Sequence, residues 1–357
     1  DSHSFVNGKG GTFFVCSTFL TESFGMGQKT ASFPMFPLLL SCYNEVTCEI
    51  DFWKGAFSMA SHTRSKWLPC CFILLQDLLY GFGDPISKFA FDVMPVYSML
   101  SLRYTMALAV LLLLFGKRIW NGLRQCSVKD WILPTLCMAG AYVVNNIALD
   151  LTAATSVAFL RSLATVMTPL LALAAYRRTY RWQHLPIQCL VVVGLYLLCG
   201  LGGLSGFGLG EVLSLLSALL LAGSLVFGEH ALERVDPITL STLQAAASAL
   251  IATVCAPLLD GGWHLERTTP IVWAIIAYMA IGCTLAGYLL QNAALTTLPS
   301  RTAALLQCAC PVMTAVFSRF VLEERLSVAG IVGAVIILLC VIAETLMEEH
   351  TPETASA

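Results

Sequence analysis

Charge is the first thing this sequence lacks. Asp, Glu, Lys and Arg make up 12% of its 357 residues, about half the usual share of roughly 25%. The net charge of −2 leaves no basic excess of the kind that grips a phosphate backbone, so nucleic acid is not an expected partner. Catalytic patterns are missing too. The six histidines (His3, His62, His184, His230, His264 and His350) fall in tails, loops or the ends of apolar runs, and neither H-E-x-x-H nor G-x-S-x-G occurs. The fourteen cysteines form no C-x-x-C pair, and most sit inside apolar runs as small core residues. No metal, cofactor or disulfide framework is therefore expected, and an enzyme reading has no parts to build on.

What the chain has instead is hydrophobicity: 57% of its residues are apolar, against about 45–50% in an ordinary soluble domain. A helix needs about 20 apolar residues to cross a hydrocarbon core roughly 30 Å thick. Ten stretches meet that need, near 67–88, 96–116, 131–149, 155–176, 184–202, 209–229, 239–259, 270–291, 301–321 and 327–347. They are continuously apolar, whereas barrel strands would alternate, so the expected fold class is an all-α integral membrane protein. Residues 1–58 differ from the rest: their apolar runs are too short to span and no signal-peptide order is present. They are expected to be a disordered tail or a gene-start artefact, with Met59 a plausible start and 348–357 a second, cytoplasmic tail.

The spans are organised around one stretch that occurs twice. Asn145 to Thr168 returns 146 positions later as Gln291 to Thr314, with Asn146 matched to Asn292, Ala148-Leu149 to Ala294-Leu295, and Val166-Met167-Thr168 to Val312-Met313-Thr314. Two copies of one unit follow, 59–203 and 204–347. Five spans per copy is an odd number, so the second copy must sit upside down in the membrane. The lysine and arginine bias agrees: with the first span starting inside, eleven cations lie on inner segments and three (Lys88, Arg267, Arg325) on outer ones. Both termini are thereby placed in the cytoplasm. In the same register Arg177-Arg178 becomes Glu323-Glu324, the charge reversal an inversion demands. Inverted repeats are a common construction of secondary transporters, with a site near the midplane between the halves.

Several motifs carry a family resemblance. They are Leu78-Leu79-Tyr80-Gly81-Phe82-Gly83 with Leu102-Arg103-Tyr104, Asn146-Ile147-Ala148-Leu149 followed by Ala153 to Leu160, Asp236-Pro237-Ile238-Thr239-Leu240, and Pro311 followed by Leu322-Glu323-Glu324-Arg325-Leu326. In order, spacing and duplication they resemble an EamA-type protein of the drug/metabolite transporter superfamily, from Trp67 to Met347. The resemblance implies a ten-helix, two-repeat permease of the inner membrane that exports amino acids, other metabolites or toxic compounds. The copies depart from each other at Thr165, where the second has Pro311. A facilitator for sugars or nucleotide conjugates is the alternative within transport, and a membrane receptor or structural protein the alternative outside it.

Polar residues inside spans mark candidate sites, because a charge at the bilayer centre costs at least about 2.5–3.5 kcal/mol. Asp77 and Tyr80 share one face of the first span, and Asp84 continues it. Asp77 is the candidate for a proton or a substrate amine, with a structural partnership to Arg103 or Arg161 as the plainer reading. Arg161, deep in the fourth span, could hold a substrate carboxylate through two parallel bonds. Its repeat mate Gln307 presents a hydrogen-bonding side chain at the same depth. Asn146 and Asn292 are candidates for substrate contact or for interhelical amide bonding, and Tyr288 for the cavity wall. Arg103 is expected to reach back to an interface, and Glu229, His230 and Glu344 to belong to the cytoplasmic surface. The expected partners are a small-molecule substrate and the lipid bilayer, with a homodimer left open.

Overall fold

The computed structural model describes residues 67–152, 154–176, 184–197, 208–262, 265, 268–321 and 327–349. The expectations for 1–58, for the Arg177-Arg178 to Glu323-Glu324 reversal and for 350–357 lie outside the described residues. Among those described, the regular elements are all helical. In the first copy they are α1 (Trp67–Phe91), α2 (Val96–Gln125), α3 (Val128–Leu151), α4 (Ala154–Ser162), α5 (Ala164–Tyr176) and α6 (Leu185–Leu195). In the second they are α7 (Leu209–Ala231), α8 (Pro237–Cys255, extended by a π-helical turn Ala256–Asp260), α9 (Pro270–Tyr278), a π-helical segment Met279–Ala286, α10 (Gly287–Leu295), α11 (Ser300–Leu306), α12 (Ala309–Val321) and α13 (Val328–Glu349).

Local chemistry sets these boundaries. Asp236 precedes Pro237 and accepts from the Ile238 and Thr239 amides, and Thr269 precedes Pro270 and accepts from the Val272 amide. A side-chain cap followed by proline at the first helical position is a strong start signal. Asp130 and Glu211, each three residues inside a helix, reach back to the Ser127 and Gly208 amides. By length and composition, eight stretches among the described residues can cross a bilayer, and α6 is a shorter apolar helix. α1 is long enough at 25 residues but carries Gln76, Asp77, Asp84 and Lys88.

The copies are inverted and exchange their first helices. α2 and α8, the second helices of the two copies, lie antiparallel. Ser98 at the start of α2 donates to Asp260 at the far end of α8, and Arg118 near the end of α2 pairs with Asp236 at the start of α8. α6 and α13 are antiparallel in the same way, with His184 at the start of one bonded to Glu344 at the end of the other. α1 packs on α10 and α12 of the second copy, while α7 packs on α3, α4 and α5 of the first. Two glycines permit the first of these contacts: a methyl on Gly81 would overlap Met313 in α12, and one on Gly287 would meet the Tyr80 hydroxyl.

Both copies break a helix within one or two residues of the same register. α4 gives way to α5 at Leu163, and α11 to α12 at Gln307-Cys308. Each break is a tight turn, with the Leu163 amide bonded to the Leu160 carbonyl and the Cys308 amide to the Leu305 carbonyl. Pro311 has no N–H for the Gln307 carbonyl, which takes the Cys310 amide instead. In the first copy the Ser162 hydroxyl competes for the Ala158 carbonyl at 2.7 Å.

Candidate functional site

The two breaks point their last side chains at one cavity. Arg161 lies in the last turn of α4 and Gln307 caps α11. Together with Asp77 and Tyr80 of α1, Tyr142 of α3, Leu221 of α7 and Cys310 of α12 they line the space between the copies. Its free volume of about 20 Å³ is room for about one water. The cavity is thus too small in this structure for a metabolite, and a larger guest requires the helices around it to part.

Four of the seven candidate residues therefore meet: Asp77, Tyr80, Arg161 and Gln307. A fifth, Tyr288, stands beside them in an aromatic column, its ring 5.6 Å from Tyr142, which is 5.4 Å from Tyr80. Tyr142 and Tyr288 are themselves repeat mates, so the pseudo-two-fold axis passes between their rings. Tyr142 went unnoticed in the sequence although the 146-residue offset marks it. The asparagines are elsewhere. Asn292 donates to Ser241 at 2.8 Å and Gln244 at 2.7 Å, joining α10 to α8, and Asn146 donates to the Tyr142 carbonyl within its own helix.

Asp77 is 1% exposed, and its Oδ2 has no hydrogen-bond donor among the described residues. A buried carboxylate in that position costs several kcal/mol unless a proton or a cation joins it. Arg161 is also buried, and its Nη2 lies 3.2 Å from Cys310 Sγ and 3.7 Å from Asp84 Oδ2. Gln307 belongs to a neutral cluster: Gln76 and Gln307 both donate to Gln291 Oε1, each at 2.9 Å. One side of the cavity is consequently ionic and the other is an amide platform that joins α1, α10 and α11.

Two expectations need correction. Arg103 does not reach back to an interface; it is 2% exposed, its Nε donates to Thr284 Oγ1 at 2.8 Å and its guanidinium lies 5.1 Å from the Tyr104 ring centre. The π-helical segment explains this, because widening the turn lets Thr284 bond the Met279 carbonyl and still accept from Arg103. Glu344 is not a surface residue either. It is 1% exposed and holds His184 at 2.9 Å and Thr302 at 3.1 Å, so α6, α11 and α13 share one buried polar contact. Single acidic residues near a span end look alike in sequence whether they face solvent or a neighbouring helix.

Comparisons with known proteins bear on the same residues. The model of the EamA-like transporter family matches twice, over residues 67–200 and 208–343. Two curated proteins of Archaeoglobus fulgidus, each named "Uncharacterized transporter", are similar to the chain. One is 26% identical over 274 residues, covering 77% of this chain and 84% of its own length. The other is 28% identical over 230 residues, covering 62% and 78%. A crystal structure described only as "Crystal structure of protein" superposes with a TM-score of 0.65 at 17% identity, over 77% of this chain and 96% of its own. At that identity the likeness speaks for the fold alone.

Proposed function

The chain belongs to the EamA-like transporter family and is a multi-pass membrane transporter, and from that premise we propose that it exports amino acids or other small amphipathic metabolites by alternating access. Ten crossings, the inner membrane and cytoplasmic termini are part of this reading. The observation that carries it is the buried, donorless oxygen of Asp77, on a residue that lines a small cavity at the seam between inverted copies. Around that cavity the exchanged helices define two bodies, α1 with α10 and α12, and α7 with α3, α4 and α5. Rocking one against the other would open the cavity to either side in turn.

In this mechanism Asp77 holds a proton while the carrier is empty and exchanges it for a substrate ammonium. Arg161 receives the substrate carboxylate, and Tyr80, Tyr142 and Tyr288 cover its apolar part. The driving force is an ion gradient or the substrate's own gradient. A carrier for nucleotide or sugar conjugates would need several cations at the cavity. Arg103, the second buried arginine, is not one of its lining residues. Efflux from proteoliposomes loaded with an amino acid library, with and without an imposed pH gradient, tests the proposal. Flux that Asp77→Asn removes while insertion stays normal supports it, and unchanged flux in that variant overturns the site.

A further inference from the structure

The transport reading leaves one half-buried charge without work. Asp84 lies on α1, two helical turns beyond Asp77, where its Oδ2 is 3.7 Å from Arg161 Nη2. The contact is loose: 3.7 Å is ion-pair distance and too long for a hydrogen bond. Both partners stay partly open, with side-chain exposures of 10% for Arg161 and 19% for Asp84. Arg161 otherwise donates to a sulfur, a poor acceptor beside a carboxylate. The same Nη2 is therefore shared between a sulfur and a carboxylate that does not bind it tightly, on an arginine that lines the cavity where a substrate carboxylate must arrive.

We propose that Asp84 is a built-in stand-in for the anionic group of the cargo, which it yields to on binding, and that the displaced Asp84 then takes up one proton. This rests on the transport reading above. The exchange balances: the Arg161–Asp84 ion pair breaks, an Arg161–cargo carboxylate pair forms, and a proton from solvent goes to the freed Asp84 carboxylate. Cargo charge and proton cancel, so no net charge enters the low-dielectric seam. The titratable groups that face Asp84 from the packed elements are Arg161 of α4, Arg103 of α2, Cys283 of the π-helical segment, Cys310 of α12 and Tyr278 of α9, with the Thr314 hydroxyl of α12 beside them. Arg103 is already engaged with Thr284. Arg161 is thus the partner whose capture by cargo leaves Asp84 uncompensated.

With Asp77 exchanging its proton for an ammonium, the two carboxylates work in opposite senses. An amine expels a proton, a carboxylate brings one, and a zwitterion does both. Proton stoichiometry becomes a property of the cargo, and zwitterions run down their own gradient.

Proton release and uptake on binding decide the matter, measured with a pH dye on the purified full chain in weakly buffered solution. The probes are isoamylamine, N-acetyl-L-leucine and L-leucine, with binding followed by calorimetry. N-acetyl-L-leucine is expected to draw in about one proton per molecule bound, isoamylamine to expel about one, and L-leucine to leave the balance near zero. Asp84→Asn abolishes the uptake, and Arg161→Gln abolishes N-acetyl-L-leucine binding itself. Bound N-acetyl-L-leucine without proton uptake, or uptake that survives in Asp84→Asn, overturns the inference. So does a wild-type protein that binds and responds to isoamylamine but not to N-acetyl-L-leucine, in which case the transport reading stands. If neither probe binds, that reading falls as well.

Discussion

The two copies of the repeat fold alike and are chemically unlike. At the same helix break the first copy sets Arg161, which faces Asp84 and Cys310, and the second sets Gln307, which joins Gln76 and Gln291 in a neutral cluster. Duplication supplied the scaffold, namely antiparallel mates, exchanged first helices and a tyrosine pair on the axis. Divergence then placed the ionic groups on one side only. A seam between identical halves would present two arginines or two glutamines, and neither set offers a zwitterion an anion and a cation site together.

Making the copies alike at this point should have the largest effect. In Arg161→Gln a charge-assisted contact worth about 3 kcal/mol is lost, so efflux of a carboxylate-bearing substrate should fall about 100-fold in proteoliposomes. The exchanged double variant, Arg161→Gln with Gln307→Arg, keeps composition constant and moves the cation to the amide side. Asp84 and Cys310 do not follow it there, so no rescue is expected, and a recovered flux would show that the asymmetry is incidental.

A second divergence lies in the long central helices. α3 is a regular α-helix, while its counterpart contains the π-helical Met279–Ala286. Thr284, which meets Arg103 there, corresponds to Met138 in the first copy. Thr284→Val keeps the shape and removes the acceptor of a buried guanidinium, and a loss of about 1.5–3 kcal/mol is expected, read as a lowered midpoint of thermal unfolding in detergent. Met138→Val removes only a weak 3.7 Å contact from Gln291 Nε2 to a neutral sulfur and should shift that midpoint less. Next in size is the glycine contact. Gly81→Val forces α1 off Met313 at about 1–3 kcal/mol, whereas Gly116→Val on α2, with nothing within 4 Å of an added carbon, should leave the midpoint nearly unchanged.

Much of this architecture was legible in the chain because lipid makes fold legible. Backbone groups must be satisfied within each segment, so long apolar runs can only be helices, and a gapless repeat with an odd number of spans can only be inverted. Asp77, Tyr80, Arg161 and Gln307 stood out because polar atoms in apolar runs need a reason. What periodicity could not show was where a polar residue points when two neighbours compete for it. Arg103 looked like a span-end cation and lies buried against Thr284; Glu344 looked like a surface acid and holds His184. The π-helical segment has no sequence signature to announce it, since its cause is the packing of Thr284 between the Met279 carbonyl and a guanidinium on another helix.

The smallest contrast separates shared sequence from shared role most cleanly. Asn146 and Asn292 are identical residues at matched positions. Asn292 is fully buried and spends its amide on two partners in α8, Ser241 and Gln244. Asn146 returns its amide to the Tyr142 carbonyl, a local bond that its own helix turn already provides for. Interhelical polar contacts in membrane proteins contribute about 0.6–1.7 kcal/mol, so Asn292→Ala should cost that much in thermal stability. Asn146→Ala should cost a few tenths of a kcal/mol at most, because alanine is the better helix former and nothing between helices is lost. Equal shifts in the two variants would mean that the copies use the asparagine alike, and that the asymmetry of the seam stops at the helix breaks.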